Sequence, residues 1–155
     1  MNRVDIFWIG KKDRDEFDSI SQHLIKNSLK FGRVSETNIW NKEIQKTQAS
    51  ENIPEIEKSY ENSLQKYLSK DSFNIILDPL GKKVDTNGFA KILHENPRTN
   101  FFIGGAWGFN ETFRKSGDLL LQLSPLTFSH KIAKIVLLEQ IYRGLSINGG
   151  HSYHK

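Results

Sequence analysis

The chain has no cysteine, a single methionine and only four prolines among its 155 residues. Without cysteine it has neither a disulfide framework nor a thiolate metal site. That composition fits a reducing compartment, so a cytoplasmic setting is expected. No apolar run approaches the roughly 20 residues that span a bilayer. The first ten residues alternate and then turn polar, without the pattern of a secretory leader. His130, His151 and His154 are too dispersed for a metal site, and no metal is expected. Internal repeats and low-complexity tracts are also missing. The expectation is one domain over residues 1–155, long enough to bury a core without covalent staples.

The net charge is modest at +4, but it is unevenly distributed. From His130 onward, Lys131, Lys134, Arg143 and Lys155 face only Glu139, so this segment carries +3 and the rest of the chain +1. A basic segment interleaved with Tyr142, Tyr153 and His154 is compatible with a polyanion such as RNA. The commoner origin of such a run is a solvated helix face. Glu139 and Arg143 stand four apart, the spacing of a surface ion pair.

Periodicity supplies the architecture. Val4, Ile6 and Trp8 alternate in a first strand, Arg3–Ile9, ended by Gly10. Phe17, Ile20, Leu24 and Ile25 recur at helical spacing within Asp13–Lys30, opened by acids. Arg33–Trp40 reads as a weaker strand, and the polar stretch Asn41–Asn52 as a loop. Pro54 suits the first position of a helix reaching about Leu68. Phe73–Leu77, Phe101–Ile103 and Leu119–Leu123 read as buried strands, with a turn at Asp78–Gly81 and a short helix Asn87–His94 capped by Thr86. A long helix follows Ser129, with Ile132, Ile135, Val136, Leu138 and Ile141 as its core stripe. Strands alternating with helices imply an α/β fold around a mostly parallel sheet.

Ligands of such sheets bind beyond the carboxyl ends of the strands. Three strands here end in distinctive loops: Leu77–Lys82, Gly104–Gly108 and Leu123–Phe128. If the strands are parallel neighbours, these loops crowd one edge and define one small-molecule pocket. Gly104-Gly105-x-x-Gly108 permits close backbone approach, but it is neither GxGxxG nor a P-loop. Taken alone it fits a tight, ligand-free turn equally well. The backbone of Leu123–Phe128 suits the edge of an adenine between Leu and Phe side chains, and Ser129 suits an N-cap. Asp78 is the carboxylate expected nearest the pocket, unless it only satisfies turn amides. The three Trp residues read as core or rim packing.

Read in order, Leu77-Asp78-x-x-Gly81-Lys82, Phe102-Ile103-Gly104-Gly105-x-x-Gly108, Leu123-Ser124-x-Leu126-Thr127-x-x-His130, Glu139-Gln140-x-Tyr142-Arg143 and Tyr153-His154-Lys155 resemble the large-subunit ribosomal RNA methyltransferase H family. That family consists of small, single-domain, trefoil-knotted SPOUT methyltransferases. The likeness in motif covers residues 73–155. The first seventy residues resemble the family in pattern and length only. The chain departs from the family pattern at Asp85–Gly88, at Ser129 and Gly144, where Pro and Ala are common, and at the bulky Trp107.

The resemblance implies a C-terminal trefoil knot, which general chain-topology rules disfavour. It also implies a cytoplasmic homodimer using S-adenosyl-L-methionine to methylate N3 of a pseudouridine in 23S rRNA on the assembled ribosome. Carried over by position, the cofactor residues would be Leu77, Gly104, Leu123, Ser124, Pro125, Leu126, Thr127 and Phe128. His154 is the candidate base, its unperturbed pKa of about 6.5 lying near neutrality. Tyr153 would stack on or orient the target base. Arg143 and Lys155 would grip RNA or stabilise developing charge. Two other classes remain open: a non-catalytic RNA-binding module on the same fold, and a small α/β enzyme acting on a soluble metabolite. The three retained loops argue against the first, and the aromatic, basic chain end argues against the second.

Overall fold

A computed structural model describes residues 1–155. Five parallel strands lie in the order β2-β1-β4-β3-β5: β1 (Asn2–Ile9), β2 (Gly32–Ile39), β3 (Phe73–Lys83), β4 (Arg98–Ile103) and β5 (Leu119–Gln122). Because both faces are covered, alternate residues enter two separate cores. Val4, Ile6, Trp8, Ile75, Phe101 and Ile103 pack beneath α1 (Glu16–Ser28), α4 (Thr86–Glu95) and α6 (His130–Asn148). Ile9, Ile76 and Phe102 pack on the other side with Ile44, Ile56 and Phe113, from α2 (Lys42–Ser50), α3 (Ile53–Leu64) and α5 (Glu111–Arg114). Each such buried side chain contributes about 1.5–3 kcal/mol relative to exposure.

The α/β parallel architecture matches the sequence expectation, and several boundaries differ for identifiable reasons. The presumed loop Asn41–Asn52 is α2. Asn41 caps it by accepting from the Ile44 amide at 2.9 Å, and fully buried Ile44 is its one core anchor. One apolar residue is too few to produce a visible period. The weaker strand β2 pairs with β1 along its whole length. Helix α3 begins at Ile53, capped by Asn52, and ends at Leu64 in a single 3-10 turn, Gln65–Tyr67. Asp85, not Thr86, caps α4 by accepting from the Gly88 amide at 2.7 Å, and Thr86 donates instead to Gln140 on α6 at 3.1 Å. Four-residue α5 has no counterpart in the sequence reading.

The largest difference is in β3. The expected turn Asp78–Gly81 lies inside this strand as an irregularity, where pairing with β5 jumps from Leu77↔Leu121 to Lys82↔Leu121. A Cβ on Gly81 would stand 2.4 Å from the Leu121 carbonyl carbon, so only glycine admits the chain here.

Helix α6 is rotated from its expected orientation. Leu137, Leu138, Ile141 and Leu145 are buried, whereas Ile132 is exposed and Ile135 and Val136 are only half-buried. The rotation is tolerated because Lys134, just 4% exposed, meets Glu36 Oε2 at 3.0 Å and lies 3.9 Å from the Trp8 ring centroid. Gly144, the departure near the chain end, has a packing reason. A Cβ there would come within 3.1 Å of Leu93 and 3.3 Å of the Ala90 backbone, so its absence brings α6 close to α4.

Candidate functional site: a cavity at the carboxyl edge of the sheet

Strands β4, β3 and β5 are neighbours, so the loops after β4 and β5 meet the irregular stretch of β3 that was expected to be a strand-end loop. Between them lies a cavity of about 490 Å³. Its wall includes Leu77, Gly104 and every residue from Leu123 to Phe128, so all eight residues assigned to the cofactor by resemblance line one space. Glycine shapes the β4 loop. Gly108 has φ +71°, in the left-handed region, and its amide donates to the Gly105 carbonyl at 3.1 Å. A Cβ on Gly104 would press on the Phe109 ring at 3.2–3.4 Å, and one on Gly105 would meet the Tyr60 hydroxyl at 2.4 Å. The loop is thus a tight turn wedged against a second-face core that includes Tyr60, whose hydroxyl pKa is pushed up to about 12 by burial.

Polar groups at the cavity are few and fixed. Asp78 is buried and accepts from the Leu80 amide at 2.9 Å, so it both borders the pocket and satisfies the local backbone. Ser124 Oγ accepts from the Leu126 amide at 3.0 Å, which fixes a local turn in the Leu123–Phe128 loop. Gln122 donates to the Pro79 carbonyl at 2.8 Å and leaves Oε1 buried without a partner. Ser129 caps α6, as its type and place imply. His130 lines the cavity and stacks on Trp8, with ring centroids 6.4 Å apart. Burial, reinforced by Lys131 and Lys134, pushes its pKa below the ordinary histidine value, so the ring is neutral at physiological pH. Sequence reasoning counted His130 in the resemblance motif and dismissed it as a metal ligand, and did not assign it to the cavity wall. Its place directly after an N-cap, between the loop and a helix on the sheet, was the available signal.

The chain-end residues gather elsewhere. Arg143 donates from Nε and Nη2 to one Glu139 oxygen at 3.0 and 2.6 Å, and its guanidinium sits 4.6 Å from the Tyr153 ring centroid. Tyr153 packs on Tyr142 and donates to Glu139 at 3.2 Å. Arg143 Nη1 lies 3.2 Å from His154 Nδ1. For arginine to donate, Nδ1 must be the unprotonated nitrogen, so the imidazole carries its hydrogen on Nε2. His154, Tyr153 and Arg143 are therefore brought together, and Lys155 follows them. They sit near the far end of α6 from His130, about 20 Å along the helix axis at 1.5 Å per residue. Within one chain, cofactor cavity and chain end are separate.

Charge pairing also alters the reading of the basic segment. Lys131 contacts Asp13 and Asp15 at 3.0 and 2.6 Å, Lys134 contacts Glu36, and Arg143 contacts Glu139. Lys155 alone among its four cations has no ion-pair partner. No group of three or more His, Asp or Glu side chains is placed to hold a metal ion. No helix is long and apolar enough to cross a membrane.

A parallel α/β sheet with a glycine-walled cavity, formed by the loops after β4 and β5 and the irregular stretch of β3, defines an α/β protein with a small-molecule site at the edge of its sheet. The family model described as "Predicted SPOUT methyltransferase" matches residues 2–154. Solved folds agree. A tRNA (m1G37) methyltransferase from Aquifex aeolicus aligns with TM-score 0.56 at 17% identity, over 92% of this chain and 70% of that one. A probable methylase family protein from Haemophilus influenzae aligns with TM-score 0.52 at 10% identity, over 98% and 70%. At the level of sequence, the chain is 47% identical to the ribosomal RNA large subunit methyltransferase H of a Nitratiruptor species, covering 100% of both chains. It is 43% identical to the protein of that name from Wolinella succinogenes, covering 99% of both. The chain belongs to the ribosomal RNA large subunit methyltransferase H family.

Proposed function

We propose that the protein is a methyltransferase of large-subunit ribosomal RNA that uses S-adenosyl-L-methionine and methylates N3 of a pseudouridine of 23S rRNA on the assembled ribosome, in the cytoplasm. The observation that carries this reading is the cavity at the sheet edge, whose wall contains all eight presumed cofactor residues. Its volume of about 490 Å³ falls in the range of small-molecule sites. The residues present fit the cofactor. Leu77, Leu123 and Phe128 supply apolar wall for an adenosyl group, and Gly104 brings bare backbone to the cavity. The unpartnered Gln122 Oε1 is an acceptor in want of a donor. When bound, S-adenosyl-L-methionine supplies an electrophilic methyl group on a sulfonium sulfur.

The chain's own residues then have three tasks. The loops hold the donor and exclude water, so that the two reactants meet aligned. His154 accepts the N3 proton. Its unprotonated nitrogen is Nδ1, where Arg143 now donates, so Arg143 must first exchange that contact for the RNA. Arg143 and Lys155 hold phosphate or the anion that N3 becomes, and Tyr153 stacks against the base.

The separation of about 20 Å between the cavity and the tail cluster supports a homodimer in which each cavity is completed by the partner subunit's tail. The half-buried Ile135 and Val136, with exposed Ile132, offer an apolar face on α6 for such an interface. A C-terminal trefoil knot is part of this proposal, and the five-stranded parallel order is consistent with it.

Two measurements test the reading. Titration with S-adenosyl-L-methionine should give saturable binding. Mapping modified positions in rRNA from cells lacking the protein should reveal one missing 23S methylation. Absence of binding would leave the non-catalytic RNA-binding module as the better account. A soluble methylated product with unchanged rRNA would leave the metabolite enzyme.

A further inference from the structure

Sequence reasoning gave Trp107 either core or rim packing, and the structure places it at the rim. Its side chain is 44% exposed and has no aromatic neighbour. It occupies the tip of the Gly105–Gly108 turn, between Ala106 and Gly108, both of which line the cavity. That turn is rigidly set by Tyr60 behind Gly105 and Phe109 beside Gly104, so the indole is held out at the lip. Leu126 in the cavity wall is 72% exposed, and Leu80, which follows the wall residue Pro79 within β3, is 74% exposed. A ring of exposed apolar side chains around a site entrance is unfavourable in water unless something covers it.

Charge identifies the covering group. A Cβ on Gly105 would stand 3.3 Å from Ile9, so this turn abuts the end of β1. The loop after β1 carries Lys11, Lys12 and Arg14, all exposed and all without an ion-pair partner. Its acids Asp13 and Asp15 are instead engaged by Lys131. An exposed indole and unpaired cations, carried on loops that follow the neighbouring parallel strands β4 and β1, suit an unpaired nucleobase with its flanking phosphates, since every base presents a stacking face and every phosphate an anion. An aliphatic protein surface would use the ring but not the cations.

Resting on the function proposed above, we infer that Trp107 is a positioning residue for the RNA substrate. It stacks on an unpaired base next to the target nucleotide, while Lys12 and Arg14 hold the adjoining phosphates. Trp107 touches no reacting atom and does not itself line the cofactor cavity.

The test uses the full-length protein and purified ribosomes. With W107A, the KM for ribosomes should rise about 10-fold, the loss expected when one base–aromatic stack is removed. The kcat and the affinity for S-adenosyl-L-methionine should stay within about two-fold, and W107F should recover most of the loss. K12A/R14A should weaken ribosome binding and flatten its dependence on salt. Unchanged KM in W107A, or a loss confined to kcat, would overturn the inference. So would a change of oligomeric state in W107A by sedimentation, which would make the lip a subunit contact. If the unaltered protein methylates no ribosome, the proposed function has failed, and that result is distinct from a null effect of W107A in an active enzyme.

Discussion

Arg143 and Glu139 are joined through a single carboxylate oxygen: Glu139 Oε1 accepts from Arg143 Nε at 3.0 Å and Nη2 at 2.6 Å, and also from the Tyr153 hydroxyl at 3.2 Å. The other oxygen accepts from Gln140 at 2.8 Å. One carboxylate therefore ties the last helix to the chain end. The pairing holds the Arg143 pKa above its ordinary value, with Glu139 the main cause.

Replacing that anchor should loosen the tail without disturbing the cavity at the other end of α6. For E139A, methyl transfer should fall at least 10-fold, with affinity for S-adenosyl-L-methionine unchanged within about two-fold. The stability cost should be small, about 1 kcal/mol or less, because both partners are part-exposed. Steady-state kinetics, cofactor titration and thermal melts together check this. Retained turnover would show that the tail acts without its tether.

Deleting Tyr153–Lys155 should abolish turnover and leave cofactor binding largely intact. G104L should do the opposite at the first step, since its side chain must displace the Phe109 ring at the cavity wall. If each site draws its cavity and tail from different subunits, mixing the two inactive variants should restore activity in the mixed dimer. No recovery from refolded, verified mixed dimers would mean that each subunit's tail serves its own cavity.

G105A tests the packing of the β4 loop. Its methyl group would sit 2.4 Å from the Tyr60 hydroxyl, which already donates to Gln48 at 3.0 Å. Overpacking of this kind costs about 1–3 kcal/mol. The variant should melt several degrees lower in a calorimeter. An unchanged melting temperature would show that the loop yields freely and is not held by Tyr60.

His130 sets a pH dependence. Its folded-state pKa lies below its unfolded value near 6.5, through burial first and the Lys131 and Lys134 charges second. Below the unfolded value the unfolded chain binds the extra proton and the folded chain does not. Stability should therefore fall as pH drops from about 6.5 toward the folded pKa and level off beneath it. H130Q should flatten that slope in denaturant melts taken between neutral and mildly acidic pH. An identical slope in the variant would remove His130 as its source.

Much of the site was legible in the chain because strand-end loops carry their own signatures. Gly104–Gly108 and Leu123–Phe128 each follow a short apolar run, and three such runs separated by helices imply parallel neighbours with loops on one edge. The N-cap Ser129 could be read for the same local reason. Local signals failed where one contact did the work. Helix α2 rests on Ile44, and α4 took Asp85 as its cap because Thr86 was drawn to Gln140. The irregularity in β3 was hidden because Asp-Pro-Leu-Gly also satisfies every rule for a turn.

By itself, the sequence determined the α/β class, the strand-end loops and the kinship of the final residues, since these depend on spacing along the chain. Tertiary structure alone decided the rotation of α6, because burying Lys134 requires Glu36 and Trp8 from strands far away in sequence. It alone decided that three of the four cations in residues 130–155 are neutralised, and that Trp107 faces solvent. It also set the separation of cavity and tail, because a helix is rigid and thirteen residues of it span about 20 Å. Charge, exposure and distance are properties of which groups meet in space, and composition does not record them.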